Sequence, residues 1–290
     1  MDLGRVGVWN IGLRAEDPAG RAAAVEAAAE LEELGYGTIW LGASPGVQHA
    51  EPLLAATSRI VVATGILSIW EYEPADVAAR HTALVAAHPD RFLLGLGVSH
   101  EFLAPDRYRR PLTAMRTFLD GLDAAPTPVP AAQRVLAALG PRMLELSRDR
   151  AAGAHPYMVT PEHTRRAREI LGQDRLLAPE VKVILEPDPD RAYDIARGHV
   201  GFYLAAPNYA NSLRRLGYTE DDMRDGGSPE LVREFVAWGD METIQNRVAA
   251  HFDAGADHVC VQVITEDRSD LPRQAWRDLA AALGLKGARS

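Results

Sequence analysis

Three side chains able to handle a proton follow apolar runs in this sequence: Glu71 after Ile60–Leu67, His100 after Phe92–Ser99, and His155 inside Gly153–Val159. An imidazole titrates near neutrality, which suits His100 and His155 to proton transfer, and Glu71 adds a carboxylate. A different chemistry is written into Ala138-Leu139-Gly140-Pro141. Glycine followed by proline at the first helical position leaves the first-turn N–H groups free, and the helix dipole there favours an anion such as phosphate. An ordinary helix start is the plainer reading of that stretch taken alone. Gly95-Leu96-Gly97 lacks the third glycine of a dinucleotide fingerprint and is weak as a motif. A metal centre is not expected: there is no cysteine pair, no His-Glu-x-x-His and no acidic loop with calcium spacing. Gly-x-x-x-x-Gly-Lys and Gly-x-Ser-x-Gly are also missing, which removes the P-loop and the serine-hydrolase elbow.

These residues need a scaffold, and the hydrophobic period supplies one. Apolar runs at Val6–Trp9, Thr38–Leu41, Ile60–Leu67, Phe92–Ser99, Arg134–Leu139, Gly153–Val159, Val181–Glu186 and His258–Val263 read as eight strands. Alanine- and leucine-rich helical stretches separate them. Proline opens helices at Asp17-Pro18, Glu73-Pro74, Gly140-Pro141, Thr160-Pro161, Asp188-Pro189 and Ser228-Pro229, and Asp240 caps another. Eight such units predict an α/β fold, a (β/α)8 TIM barrel, over a single domain spanning 1–290; a doubly wound open sheet is the alternative. About 70 residues separate the seventh and eighth strands, more than one crossover helix needs. The spacing therefore predicts a helical insertion at 204–239, near the barrel mouth or packed on the outer ring.

In a barrel the chemistry sits just beyond the strand ends. That rule puts Glu71, His100 and His155 at the rim, with Trp9, Trp40 and Trp70 as candidate walls of a substrate pocket. It sends His258 to the opposite face, and His81, His88 and His251 read as helix surface. Lys182 reads as the start of its strand, the wrong end for a Schiff-base lysine of an aldolase or lyase.

The bulk numbers narrow the partners. A formal charge of −9 disfavours a nucleic-acid role, although Arg107, Arg109 and Arg110 cluster. No apolar run reaches the roughly 20 residues of a membrane span, and Met1–Arg5 lacks a signal-peptide pattern. The single cysteine, Cys260, points to no disulfide, so a cytoplasmic protein is expected.

Four runs resemble the bacterial luciferase-like family: Glu30–Leu41, Ser58–Ile66, His88–Gly97, and Trp238-Gly239-Asp240 with Ala254–Val259. The likeness runs in order along nearly the whole chain. It is nearest to the actinobacterial branch of coenzyme F420 (deazaflavin)-dependent oxidoreductases. The resemblance implies a barrel with the deazaflavin in its mouth and a hydride moved to or from a small organic substrate. It further implies that Thr64, Gly65 and Ile66 form a bulge against the ring, with a cis Gly65–Ile66 bond, flanked by Gly97, Val98 and Ser99. It makes Ala138, Leu139, Gly140 and Pro141 the phosphate-holding segment, and relatives are commonly homodimers. An FMN-dependent monooxygenase and a non-catalytic cofactor-binding barrel are the alternatives. Many relatives carry an acid or histidine after strand two; here Gly42-Ala43-Ser44-Pro45 offers none, so Glu71, His100 and His155 are assigned from location alone.

Overall fold

The computed structural model of the chain describes residues 1–101 and 104–287. Its strands are β1 (Val6–Asn10), β2 (Thr38–Gly42), β3 (Val61–Gly65), β4 (Leu67–Ser68), β5 (Phe92–Gly97), β6 (Arg134–Leu136), β7 (Gly153–Ala154), β8 (Leu176–Leu177), β9 (Glu180–Ile184), β10 (Val236–Trp238) and β11 (Val259–Val263). All the pairings are parallel, in the order β10-β9-β11-β1-β2-β3-β5-β6-β7-β8, with β4 on β5. β8, at one end of that order, runs into β9, next to the other end, across Ala178-Pro179. Ala178 N donates to Ala154 O and Glu180 N to Pro156 O, both at 2.9 Å, so the sheet curls round on itself. The eight predicted strands occupy the eight positions of a TIM-barrel-like ring, and the open-sheet alternative is set aside.

The helices are α1 (Pro18–Leu34), α2 (Glu51–Ala55), α3 (Pro74–Ala87), α4 (Pro111–Asp123), α5 (Pro141–Arg150), α6 (Pro161–Leu171), α7 (Pro189–Leu204), α8 (Pro207–Leu216), α9 (Glu220–Met223), α10 (Pro229–Phe235), α11 (Met241–Asp253) and α12 (Arg273–Ala282). Each proline expected to open a helix does so. Asp17, Thr160, Asp188, Ser228 and Asp240 accept first-turn N–H bonds as side-chain caps. Val8, Ile39, Val62, Leu94 and Val261 pack outward against the helices in the largest core cluster. Alternate positions, among them Trp40, Ala63, Leu93, Val135 and Cys260, fill the barrel interior.

Three of the four family-like runs meet in one knot beneath the strands. Glu32 accepts from the backbone of Ser58, Arg59 and Ile60 at 2.6–3.0 Å. Arg91 donates to the carbonyls of Leu54, Thr57 and Ile60. Burial pushes the Glu32 carboxyl up, but the Ile60, Arg59 and Ser58 bonds outweigh it and bring it down to about 2.

Four sequence expectations need correction. The strand ending in Leu67 breaks at Ile66 into β3 and β4. The segment 204–239 carries α8, α9 and α10, but its last residues form β10, which takes up the β9 edge that β7 leaves. Lys182 lies in the middle of β9 rather than at its start, and it is fully buried. His81 and His251 are buried rather than solvated, at 2% and 1% exposure: His81 packs on Phe92 of β5, and His251 is turned to Thr164 of α6. Among the described residues no helix is long and apolar enough to cross a membrane, and no group of His, Cys, Asp or Glu is arranged to hold a metal.

Candidate active site

Parallel strands deliver their C-terminal ends to one rim, and the segments singled out by sequence meet there. The Gly65–Ile66 bond is cis. The Gly65 carbonyl accepts from Trp9 Nε1 at 2.7 Å, and Ile66 N donates to Ala43 O at 3.3 Å. Thr64 is buried, and its hydroxyl both donates to Gly95 O (2.7 Å) and accepts from Gly95 N (2.8 Å), stitching β3 to β5. It holds the bulge from below. A Cβ at Gly97 would fall 2.5 Å from Ile66 Cδ1 and 3.3 Å from Ala137 Cβ. Absence of a side chain at residue 97 therefore lets the β3 bulge and the β6 end lie side by side. Val98 is half-buried, its carbonyl accepting from Trp70 Nε1, and Ser99 has a positive φ of 54°.

Beyond β6, Ala138 is buried and the Leu139 carbonyl accepts from His163 Nε2 at 2.9 Å. Gly140 caps α5 without a side-chain bond; Pro141 has no N–H, and the Met143 and Leu144 N–H groups turn back to the Gly140 carbonyl at 3.1 Å, so the Arg142 N–H is the first-turn donor left for a ligand. A Cβ on Gly140 would meet nothing nearer than Arg215 Nη2 at 3.6 Å. The guanidinium of α8 thus stands beside an open helix N-terminus, and both favour an anion.

The proton-handling candidates separate. His155 is buried inside the barrel, where Trp40 stacks on it at 4.0 Å and 12°. Burial lowers its pKa to about 3, and His155 Nδ1 donates to Ala178 O while Nε2 has no partner among the described residues. Trp40 is itself fully buried, donating to His258 Nε2 at 3.1 Å, so it belongs to the barrel interior. His100 is half-buried against Tyr203 (6.0 Å) and Tyr209 (5.5 Å); burial lowers its pKa, and the Asn208 hydrogen bond works the other way. Glu71 is exposed, and half-buried Trp70 packs on Tyr108 at 5.8 Å.

Sequence reasoning missed the group at the centre of the mouth. Tyr157 lies against Trp9 with ring centroids 5.3 Å apart, and its Oη donates to Gln262 Oε1 at 2.8 Å and meets Tyr203 Oη at 3.1 Å. Below it Lys182 Nζ sits 3.6 Å from the Tyr157 ring centroid and donates to Glu180 Oε2 at 2.6 Å. Burial pushes Lys182 down to about 8 against the pull of Glu180, and pushes Glu180 up against the pull of Lys182. Two signals were available. Glu180 and Lys182 are two apart in a strand and so share a face, and Gln262 is the one polar side chain within Val259–Val263. Tyr203 of α7 and Tyr209 of α8 continue the aromatic layer, centroids 5.4 Å apart, over the mouth. A hollow of about 10 Å³, room for a single water, lies beside it among Trp9, Asn10, His199, Gln262 and Arg268.

A closed ring of parallel strands, with its donors and aromatic rings at the C-terminal rim, defines a TIM-barrel protein with a built mouth. Its first 116 residues match the family model described as luciferase-like monooxygenase, which takes in the family-like runs Glu30–Leu41, Ser58–Ile66 and His88–Gly97 but not the run from Trp238 on. Solved structures share the fold along almost all of the chain. A coenzyme F420-dependent tetrahydromethanopterin reductase from Methanopyrus kandleri matches with a TM-score of 0.73 and 15% identity, covering 98% of this chain and 100% of its own. An F420-dependent secondary alcohol dehydrogenase, in complex with an F420-acetone adduct, gives 0.68 and 15% over 96% and 98%. The oxygenating constituent of 3,6-diketocamphane monooxygenase from the CAM plasmid of Pseudomonas putida, in complex with FMN, gives 0.63 and 14% over 98% and 97%. At these identities the likeness is one of fold. Comparison with curated proteins gives no match.

Proposed function

We propose that this chain is a coenzyme F420 (deazaflavin)-dependent oxidoreductase that moves a hydride to or from a small organic substrate. The observation that carries the reading is the adjacency of Ile66, Gly97 and Ala137, which brings the β3 bulge beside the segment leading into α5. A planar ring laid against Gly65 and Ile66 would have its anionic tail within reach of Leu139, Gly140 and Arg215. When bound, the ring supplies the hydride chemistry; the protein orients it, excludes water and manages one proton. The donor set fits such a group: an uncapped helix N-terminus beside a guanidinium is suited to phosphate.

The likeness to both F420 and FMN proteins makes an FMN-dependent monooxygenase the second reading. Titration of the purified chain with the deazaflavin and, separately, with FMN tests both, followed by cofactor fluorescence. Saturable binding of the deazaflavin below about 10 μM, at least tenfold tighter than FMN, is expected. Tighter FMN binding would reassign the chain to the monooxygenases, and binding of neither would remove the function.

A further inference from the structure

We propose that Tyr157 is the acid–base residue of this site. Its Oη gives a proton to the oxygen of a carbonyl substrate as the carbonyl is reduced, with the Lys182 ammonium behind the ring as countercharge to the phenolate. The proposal rests on the hydride-transfer reading above and names its substrate class. Tyr157 qualifies by position. Trp9 bridges it to the Gly65 carbonyl, so the phenol flanks the bulge. One partner of its hydroxyl, Gln262, belongs to the barrel wall, whereas the other, Tyr203 Oη, comes from the covering helix α7. With the Gln262 amide turned so that its Nε2 donates to the phenol oxygen, the Tyr157 proton points to the Tyr203 side, where a substrate oxygen can take the place of the Tyr203 hydroxyl.

The countercharge is built in. Among the described residues Lys182 hydrogen-bonds Glu180 alone, and it otherwise faces rings, Tyr157 at 3.6 Å and Tyr203 at 5.7 Å. Glu180 is itself held on the far side by the Met158 N–H (2.9 Å). The other groups that bear on Lys182 are His155, His199 and Cys260, all buried. Burial pushes the Tyr157 hydroxyl well above 10, with Tyr203 and Glu180 pushing the same way, so it holds its proton at neutral pH and gives it up only to a more basic oxygen such as a developing alkoxide. An anionic phenolate in that setting needs a nearby cation, and a cation over the ring face meets the need.

The step balances. A bound reduced deazaflavin would supply the hydride to the carbonyl carbon and would leave in its oxidised form. The carbonyl π pair moves to oxygen, and that oxygen takes the Oη proton to give an alcohol. Solvent returns a proton to the phenolate after product leaves, and alcohol oxidation is the reverse.

The test uses the full chain with reduced F420 and three probes: acetone, cyclohexanone and benzaldehyde. Y157F should bind F420 as the wild-type chain does, with kcat about a hundredfold lower or less still and KM little changed. E180Q/K182M removes the buried pair together, so no charge is stranded. It should lower kcat about tenfold and abolish the fall in wild-type rate expected above about pH 8, where Lys182 loses its proton. A readout independent of turnover is the ¹³Cζ resonance of Tyr157 in tyrosine-labelled protein, assigned by its loss in Y157F. It should shift with an inflection near pH 8 in the wild-type chain and show none in E180Q/K182M.

The assignment is overturned if Y157F turns over within about threefold of wild type, if the inflection survives in the double variant, or if cofactor-loaded wild type reduces none of the probes. Failure of the wild-type chain to bind F420 is a separate result, seen before any variant is made, and it removes the underlying reading instead.

Discussion

Gly97 and Arg215 divide the work of the mouth, one by having no side chain and the other by its charge. An alanine at 97 would bring a methyl to 2.5–2.6 Å from the Ile66 side chain, too close to be accommodated without a shift. The flexible end of Ile66 can move, so the barrel should fold, but the surface offered at the bulge changes shape. Gly97→Ala is expected to weaken F420 binding about tenfold with a melting temperature within about 3 °C of wild type. Unchanged affinity would detach Gly97 from the ring site. Arg215 is exposed, and its guanidinium lies 3.6 Å from the Cβ position of Gly140, so its contribution should be a screened charge–charge attraction. Arg215→Ala should weaken F420 about fivefold at low salt and less at 0.5 M salt, measured by the same fluorescence titration. A loss that does not change with salt would point to packing of α8 instead. Neither residue lay in the site read from sequence as a pair. Gly97 was found from its strand-end position, but Arg215 sits in α8, 75 residues beyond Gly140, and only the fold brings the two together.

Elements divide the molecule into a stabilising end and a working end, and the knot formed by α1, the start of β3 and the start of β5 belongs to the first. Glu32 satisfies three backbone N–H groups that have no strand partner of their own. Glu32→Gln keeps the shape but leaves one acceptor oxygen and turns the other into a donor facing donors. The expected cost is about 2 kcal/mol by urea denaturation, with F420 affinity unchanged at 20 °C. Lost affinity at unchanged stability would refute the division. The resemblance runs were legible because they carry this knot: its partners are polar residues at fixed places beside apolar strands. The ring of strands was legible for a related reason, since apolar runs and proline-opened helices are local signals. β10 was not, because Val236-Ala237-Trp238 follows α10 without a turn residue and is only three residues long. Lys182 was misplaced by a strand start called one residue late and by its charge, which reads as an edge. Its burial depends on Glu180 on the same face and on two rings from distant segments. Tyr157 was passed over for the same reason: a tyrosine two residues after a histidine has no meaning until β9, β11 and α7 surround it.

At the scale of the whole molecule the distinctive property is how many histidines the fold buries in neutral form. His81, His155, His251 and His258 are each almost fully covered, and burial lowers their pKa values to about 4, 3, 3 and 4. The partners of His258 and His251 suit the neutral ring. His258 Nε2 accepts from Trp40 while its Nδ1 donates to the Gly4 carbonyl, and His251 pairs with the Thr164 hydroxyl at 2.9 Å. In the unfolded chain each ring would titrate near the ordinary value of about 6.5. Between that value and the folded pKa the unfolded state binds more protons than the native state, so stability falls as pH falls. Above about pH 7 these rings are neutral in both states and the dependence vanishes. Each ring that titrates only on unfolding contributes a slope of about 1.4 kcal/mol per pH unit, and those slopes add for rings as far apart as His81 and His251. Urea denaturation at intervals from pH 7.5 to 4.5 should therefore show a plateau and then a steep decline below about pH 6.5, with a slope corresponding to more than one proton. His81→Asn provides the control, because His81 packs at 5.8 Å from Phe92 and contacts nothing in the mouth. It should shift the whole curve down at pH 7 and make the decline shallower by about one proton. A stability curve flat from pH 7.5 to 5 would mean that these rings can take up protons within the native fold, and the interior would then be wetter and less rigid than its packing implies.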